Sequence, residues 1–159
     1  MHSRKTSRNQ VAAGFKKANW EGITSNFDLG GGKYDKATNW LKKHRGVINF
    51  VYDPYNRSQE YNDFTYASSK LSESTTIFNV LNVIPSRKER KEILEFAKRE
   101  NTKKIFITVY EGNKSGRGEV TRDGWQNNKR LKDYLPEIKK IYPQAYISKN
   151  MIIININKE

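Results

Sequence analysis

The chain has 159 residues, the length of one domain, and contains no cysteine, so disulfide frameworks, thiolate metal sites and cysteine nucleophiles are excluded. Its 30 Lys and Arg against 17 Asp and Glu leave a net charge of +13, which favours anionic partners, nucleic acid first, although a surface that defaults to lysine has the same composition. With only two histidines, His2 and His44, no histidine-rich metal site is expected, and no apolar run nears the roughly 20 residues of a membrane span.

Residues 1–22 read as a basic arm with a short helix whose apolar positions are Val11, Ala12, Phe15 and Ala18. The arm carries one basic run, Arg4, Lys5, Arg8, Lys16 and Lys17. No apolar stretch of signal-peptide type follows it, so a cytoplasmic chain without membrane contact is expected. The remaining residues, 23–159, read as one domain.

Residues 23–28 form a short extended run that stops at Gly30, Gly31 and Gly32. Residues 34–44 follow as a helix, with Ala37, Trp40 and Leu41 at helical spacing and Gly46 placed to cap its end. Residues 47–52 are a second strand, apolar on both faces, stopped by Pro54. A polar and aromatic helix over 58–70 leads to a strand over 75–81. Pro85 and Ser86 then open a charged helix over 86–100, whose run Arg87, Lys88, Arg90 and Lys91 reads chiefly as a solvated face. A strand over 104–110 precedes a long glycine-rich polar loop, and residues 128–141 are the last helix. Residues 145–148 and 151–156 flank Lys149-Asn150 and read as a β-hairpin. Strands alternating with helices predict an α/β domain: a mostly parallel sheet with helices on both faces and a C-terminal antiparallel hairpin.

Three places carry chemistry. The turn Asp28-Leu29-Gly30-Gly31-Gly32-Lys33-Tyr34 sits between a strand and a helix, where bare backbone lets a ligand approach closely; a flexible turn is the alternative. Asp53 ends the second strand, where an acidic side chain can accept both hydroxyls of a ribose; the bland alternative is an Asp-Pro turn through Asp53, Pro54, Tyr55 and Asn56. The loop over residues 110–127 gathers Glu111, Asp123, Trp125 and four glycines. Its Trp125 has the flat face that stacks on a base, and Glu111 or Asp123 is a candidate general base. A flexible surface loop pinned by Trp125 is the alternative.

The segment Phe27-Asp28-Leu29-Gly30-Gly31-Gly32 resembles the first motif of class I S-adenosylmethionine-dependent methyltransferases, an acidic residue followed by G-x-G, with Tyr34 where the fuller pattern has a third glycine. Asp53 matches that family's acidic residue after the second strand, and Asn79-Val80-Leu81-Asn82-Val83-Ile84-Pro85 is similar to the segment after its fourth strand. The resemblance covers roughly residues 23–156, and a narrower one links the chain to short methyltransferase-like proteins of phages and mobile elements.

The resemblance implies a Rossmann-like fold and S-adenosyl-L-methionine as cofactor. It places Asp28, Leu29, Gly30, Gly31, Gly32, Tyr34, Asp53, Pro54, Asn79 and Val80 around that cofactor, and the reading of the loops adds Asn79, Glu111, Asp123 and Trp125 at the acceptor. Two features depart from the family. Its third strand is hard to place, and the N-P-P-Y-type motif of amino-methylating DNA enzymes is absent. Methyl transfer to nucleic acid is the leading expectation. A cofactor-binding interaction or counter-defence factor that methylates nothing, and a small-molecule methyltransferase, are the alternatives.

Overall fold

The computed structural model describes residues 8–157; Arg4 and Lys5 of the first basic run lie outside the described residues. In chain order come helix α1 (Ala13–Lys17), strand β1 (Ser25–Leu29), helix α2 (Lys36–Arg45), strand β2 (Ile48–Tyr52) and helix α3 (Gln59–Ser68). Strand β3 (Ser74–Phe78), a 3-10 turn (Leu81–Val83), helix α4 (Arg87–Phe96) and strand β4 (Lys104–Thr108) follow. The chain ends with strands β5 (Glu119–Thr121) and β6 (Gly124–Gln126), helix α5 (Leu131–Lys139) and strands β7 (Tyr146–Ser148) and β8 (Met151–Asn155).

Six strands form one sheet in the order β2-β1-β3-β4-β8-β7. Every pairing is parallel except those of β8, which runs against β4 and β7. The expected terminal hairpin is therefore β7-β8, with β8 inserted between β4 and β7. The sheet leaves β1 outward to β2 and then returns past β1 to β3. That reversal opens a crevice between the carboxyl ends of β1 and β3, where ligands of open α/β sheets bind.

Side chains alternate across the strands, so each face has its own core. Phe27, Ile77, Ile105, Ile107 and Ile152 face α4 and α5, where they meet Leu94, Leu131 and Ile138. On the other face Leu41 of α2 joins Phe15 and Trp20 against Phe78, Phe106 and Met151. Each fully buried Phe, Ile or Leu of this kind stabilises the fold by roughly 1.5–3 kcal/mol. Phe15 and Trp20 are themselves part of this second core, so the expected short helix, α1, is anchored to the sheet. Trp20 Nε1 also donates to the Phe15 carbonyl at 2.8 Å.

Several details differ from the sequence expectation. Strand β3 stops at Phe78, because Asn79 takes a positive φ of 59° that no strand continues through. Among the described residues no strand pairs with the outer edge of β2, which explains why a third strand was hard to place. Ile48 on that edge is 56% exposed, so β2 is not apolar and buried on both faces. Its Asn49 is buried in a polar network instead. The glycine-rich loop holds a hairpin, β5-β6. Arg90 corrects the reading of its helix as a solvated face: it is 4% exposed and paired with Glu137 at 3.1 Å. Its Nη1 donates to the carbonyls of Ile84 and Pro85. No helix among the described residues is long and apolar enough to cross a membrane.

Candidate functional site

A cleft of about 1140 Å³ runs along the carboxyl ends of β1, β2, β3 and β4. Its floor is the glycine turn, and all ten residues expected around the cofactor line it, from Asp28, Leu29, Gly30, Gly31 and Gly32 through Tyr34, Asp53 and Pro54 to Asn79 and Val80. The glycines are required first by the protein itself. Gly30 has φ +72°, and a Cβ there would lie 2.5 Å from Val80 Cγ2. A Cβ on Gly31 would collide with the Asp28 carboxylate. The turn after β1 and the turn after β3 thus close on each other, with bare backbone between them facing the cleft.

Arg57 holds the far side of the glycine turn. Its Nε donates to the Gly32 carbonyl at 2.7 Å, and its Nη2 donates to the Tyr34 carbonyl and pairs with Asp35 at 2.9 Å. The sequence offered no signal for this clamp, which joins residues more than twenty positions apart.

Asp53 does not stand open to the cleft as a ribose acceptor. Its Oδ1 accepts from the backbone N–H of Tyr55 (3.1 Å) and Asn56 (3.2 Å). Its Oδ2 accepts from the Gly32 N–H and from Asn56 Nδ2, both at 2.9 Å. A carboxylate has about four acceptor sites, and four protein donors use them. Asn62 locks the same turn from α3: its Oδ1 accepts from Asp53 N, and its Nδ2 donates to the carbonyls of Asp53, Arg57 and Ser58. The Asp-Pro turn and the cleft position are both real, and the turn has taken the carboxylate. Asp53 acts on the cleft through Gly32, whose backbone it fixes.

Asp28 is the second buried acid, 2% exposed. It accepts from Thr76 Oγ1 at 2.9 Å and from Asn49 Nδ2 at 3.1 Å. Asn26 ties the same network together by donating to Asn49 Oδ1 and Thr76 Oγ1. Burial raises the Asp28 carboxyl from 3.8 to about 6, against the lowering effect of the bonds from Asn49 and Thr76; Asp53 adds to the rise and Arg57 opposes it.

The outer wall comes from the turn after β3 and the β5-β6 hairpin. Asn79, Asp123 and Trp125 of the expected acceptor residues line the cleft, joined by Tyr110. Asp123 lies in the two-residue turn of the hairpin, exposed to solvent. Trp125 donates from Nε1 to Asn127 Oδ1 at 2.8 Å, and its ring fills the space beside Gly118. Asn127 in turn donates to the carbonyls of Leu81 and Ile84, which fastens the hairpin to the cleft wall. Asn82 lines the same wall, and its buried Oδ1 has no hydrogen-bond partner among the described residues.

Glu111 does not belong to this set. It is not among the residues lining the cleft, and its Oε2 accepts from the Leu131 N–H at 2.7 Å. A carboxylate there satisfies a first-turn donor of α5 and meets the positive end of the helix dipole. We expect Glu111→Gln to leave any activity of the cleft unchanged and Glu111→Ala to cost about 1 kcal/mol of stability, measured by urea unfolding. A general base would instead lose roughly a hundredfold in rate in the Gln variant.

Charge separates the cleft from the rest of the molecule. Among the described residues, Asp28, Asp53, Glu89, Glu92 and Asp123 line it, and Arg8 is the one basic residue in the lining. A pyrophosphate is disfavoured over such a floor and a cation is favoured, in a chain whose net charge is +13.

The crystal structure of TnmH superposes on 88% of this chain and 51% of its own length, with a TM-score of 0.52 at 13% identity. The chain therefore spans about half the length of TnmH, and the likeness shows a shared fold. The 16S rRNA methylase ArmA aligns over 83% of this chain and 72% of its own, at 13% identity and a TM-score of 0.42, which is too low to carry an argument. No family model and no curated protein matches the sequence.

Proposed function

We propose that this chain binds S-adenosyl-L-methionine in the acidic cleft and transfers its methyl group to a nucleic acid. The observation that carries the cofactor half of the reading is the charge of the cleft, five carboxylates among the described lining at the switch point of the sheet; the nucleic-acid half rests on the net charge of +13 carried elsewhere on the chain. A sulfonium is a cation, so this floor suits it and rejects the phosphates of a dinucleotide. The backbone around the switch point also leaves room for the cofactor. The glycine turn leaves backbone bare facing the cleft, and Asn79 and Val80 of the turn after β3 line it from the other side.

Bound S-adenosylmethionine would supply an electrophilic methyl group. The protein's part is proximity and alignment. Gly30, Gly31, Gly32 and Val80 shape the seat. Asp28 places a fixed negative charge beneath it once ionised. Tyr34, Tyr110 and Trp125 offer flat faces on which a planar acceptor can stack. Asn79 sits where it orients the acceptor, and Asp123 is placed to take a proton where the acceptor carries one.

Calorimetric titration with S-adenosylmethionine and S-adenosylhomocysteine tests the seat. Saturable binding by both is expected, and an inert trace from folded protein would remove the reading. Tritiated methyl transfer to tRNA, rRNA and DNA then tests the acceptor. A second reading, a cofactor binder that transfers nothing, has one observation in its favour: Glu111 is committed to α5, which leaves exposed Asp123 as the candidate base. Cofactor binding without transfer to any of these acceptors, or to cell extract, would select it.

A further inference from the structure

Helix α4 divides the molecule's charge. Glu89, Glu92, Ile93 and Phe96 recur at helical spacing and line the acidic cleft. Arg87, Lys88 and Lys91 lie on the opposite side of the helix and line a groove of about 410 Å³ between α4 and α5, closed across by Lys140. The acid in the groove lining, Glu137, is neutralised by Arg90 in a pair whose side chains are 5% and 10% exposed. Lys91 approaches Glu95 at 3.8 Å, but both are exposed and the pair is weak. The groove is therefore a concave strip of cations over an apolar floor of Leu94 and Ile141.

We propose that the α4–α5 groove is a phosphate-binding track for a single-stranded polynucleotide. Its charge suits a polyanion, and its concavity suits a chain more than a flat surface. A membrane surface fits less well, because the most exposed aliphatic and phenyl side chains, Phe64, Val120, Ile48 and Leu71, lie on α3, the β5-β6 hairpin, β2 and the turn after α3, and none of them lines the groove. The cleft and the groove are separated by one helix, about 10–12 Å. Roughly three stacked nucleotides, at about 3.4 Å each, span that distance. A strand held by its phosphates in the groove can thus pass the start of α4 and present an unpaired base to the cleft. That last step rests on the function proposed above; binding in the groove does not.

Fluorescence anisotropy with short single-stranded RNA and DNA tests the track without any cofactor. The triple variant Lys88→Ala/Lys91→Ala/Lys140→Ala is compared with Lys17→Ala/Lys42→Ala/Lys43→Ala, which removes the same charge from α1 and α2 on the opposite face of the sheet. We expect the groove variant to bind about tenfold more weakly at low salt, and the slope of log affinity against log salt to shrink by about 2. The control should stay close to the parent protein. Thermal midpoints of both variants report that they remain folded. Equal loss in both variants, no binding by the parent protein, or preference for phosphatidylserine vesicles or poly-glutamate over the oligonucleotides would each overturn the track. Cofactor titration of the groove variant separates the two proposals, since none of the three lysines touches the cleft.

Discussion

Asp53→Ala lowers the stability of the ligand-free protein by about 3 kcal/mol. Asp53 is 4% exposed and its two carboxylate oxygens accept four hydrogen bonds, all of which the mutation removes at once. The Gly32 N–H is buried, so its loss costs most; an orphaned buried donor is worth about 1–3 kcal/mol. The N–H groups of Tyr55 and Asn56 recover water in part and cost less. At this chain length, 3 kcal/mol corresponds to a fall of roughly 6–12 °C in Tm. Differential scanning fluorimetry and urea unfolding without ligand measure it.

The same measurement decides what Asp53 is for. A carboxylate reserved for a ribose contributes to ligand affinity and little to the ligand-free fold. Unchanged stability with lost cofactor binding would therefore show that the four bonds open in solution and that the ribose role stands. Asp53→Asn sharpens the contrast. The amide keeps one acceptor for Tyr55 and Asn56 but turns an NH₂ towards the Gly32 N–H and Asn56 Nδ2, two donors facing a donor. We expect it to be no better tolerated than alanine, whereas at a ribose site an amide that still accepts one hydrogen bond would retain part of the affinity.

The sheet was legible in the sequence because its strands are short, β-branched and punctuated. Residues 104–108 and 151–155 are runs of Ile, Phe and Met bounded by polar residues, and Gly46 ends α2 in the left-handed conformation that its position suggests. The cleft was legible because Gly30, Gly31 and Gly32 mark a tight turn at a strand end, although the sequence alone did not show that Val80 and Asp28 demand two of those glycines. What was not legible depends on partners distant in the chain. Arg90 sits in a run of charges that looks solvated, and only the approach of Glu137, 47 positions on, buries it. Glu111 is a plausible base until α5 arrives with an unsatisfied Leu131 N–H. Asp53 is saturated by a turn whose shape is set by Asn62 from the following helix. The β5-β6 hairpin lacks apolar alternation, because Glu119, Val120 and Thr121 are all exposed and face no core. In each case a polar residue's role is fixed by who reaches it, and residue type alone carries no trace of that.

Asp28 gives the molecule two pH dependences of opposite sign. Its carboxyl titrates at about 6 in the folded chain, raised from 3.8, so between those values the folded state holds a proton that the unfolded state has lost. Its contribution to stability is fully present below the unfolded value and is lost as pH rises through the folded one. The rise from 3.8 to about 6 corresponds to roughly 3 kcal/mol, and about 2 kcal/mol of it falls between pH 4.5 and 7. Glu73 works the other way in a lower window. Hydrogen bonds from Lys103 and Thr24 hold it at about 2, so its stabilisation is complete above its ordinary 4.5 and fades as pH falls through 2. Above that window the slope belongs to Asp28, and Asp28→Asn should flatten it in urea unfolding across pH 4.5 to 7. Affinity for a cationic ligand must run in the opposite direction, because only the ionised carboxylate attracts it: binding strengthens as pH rises through about 6. An Asn variant with the parent's stability slope would move the titrating group elsewhere. Binding that is flat or weakens with rising pH would mean that the cleft's occupant is not a cation, and with it would go the sulfonium.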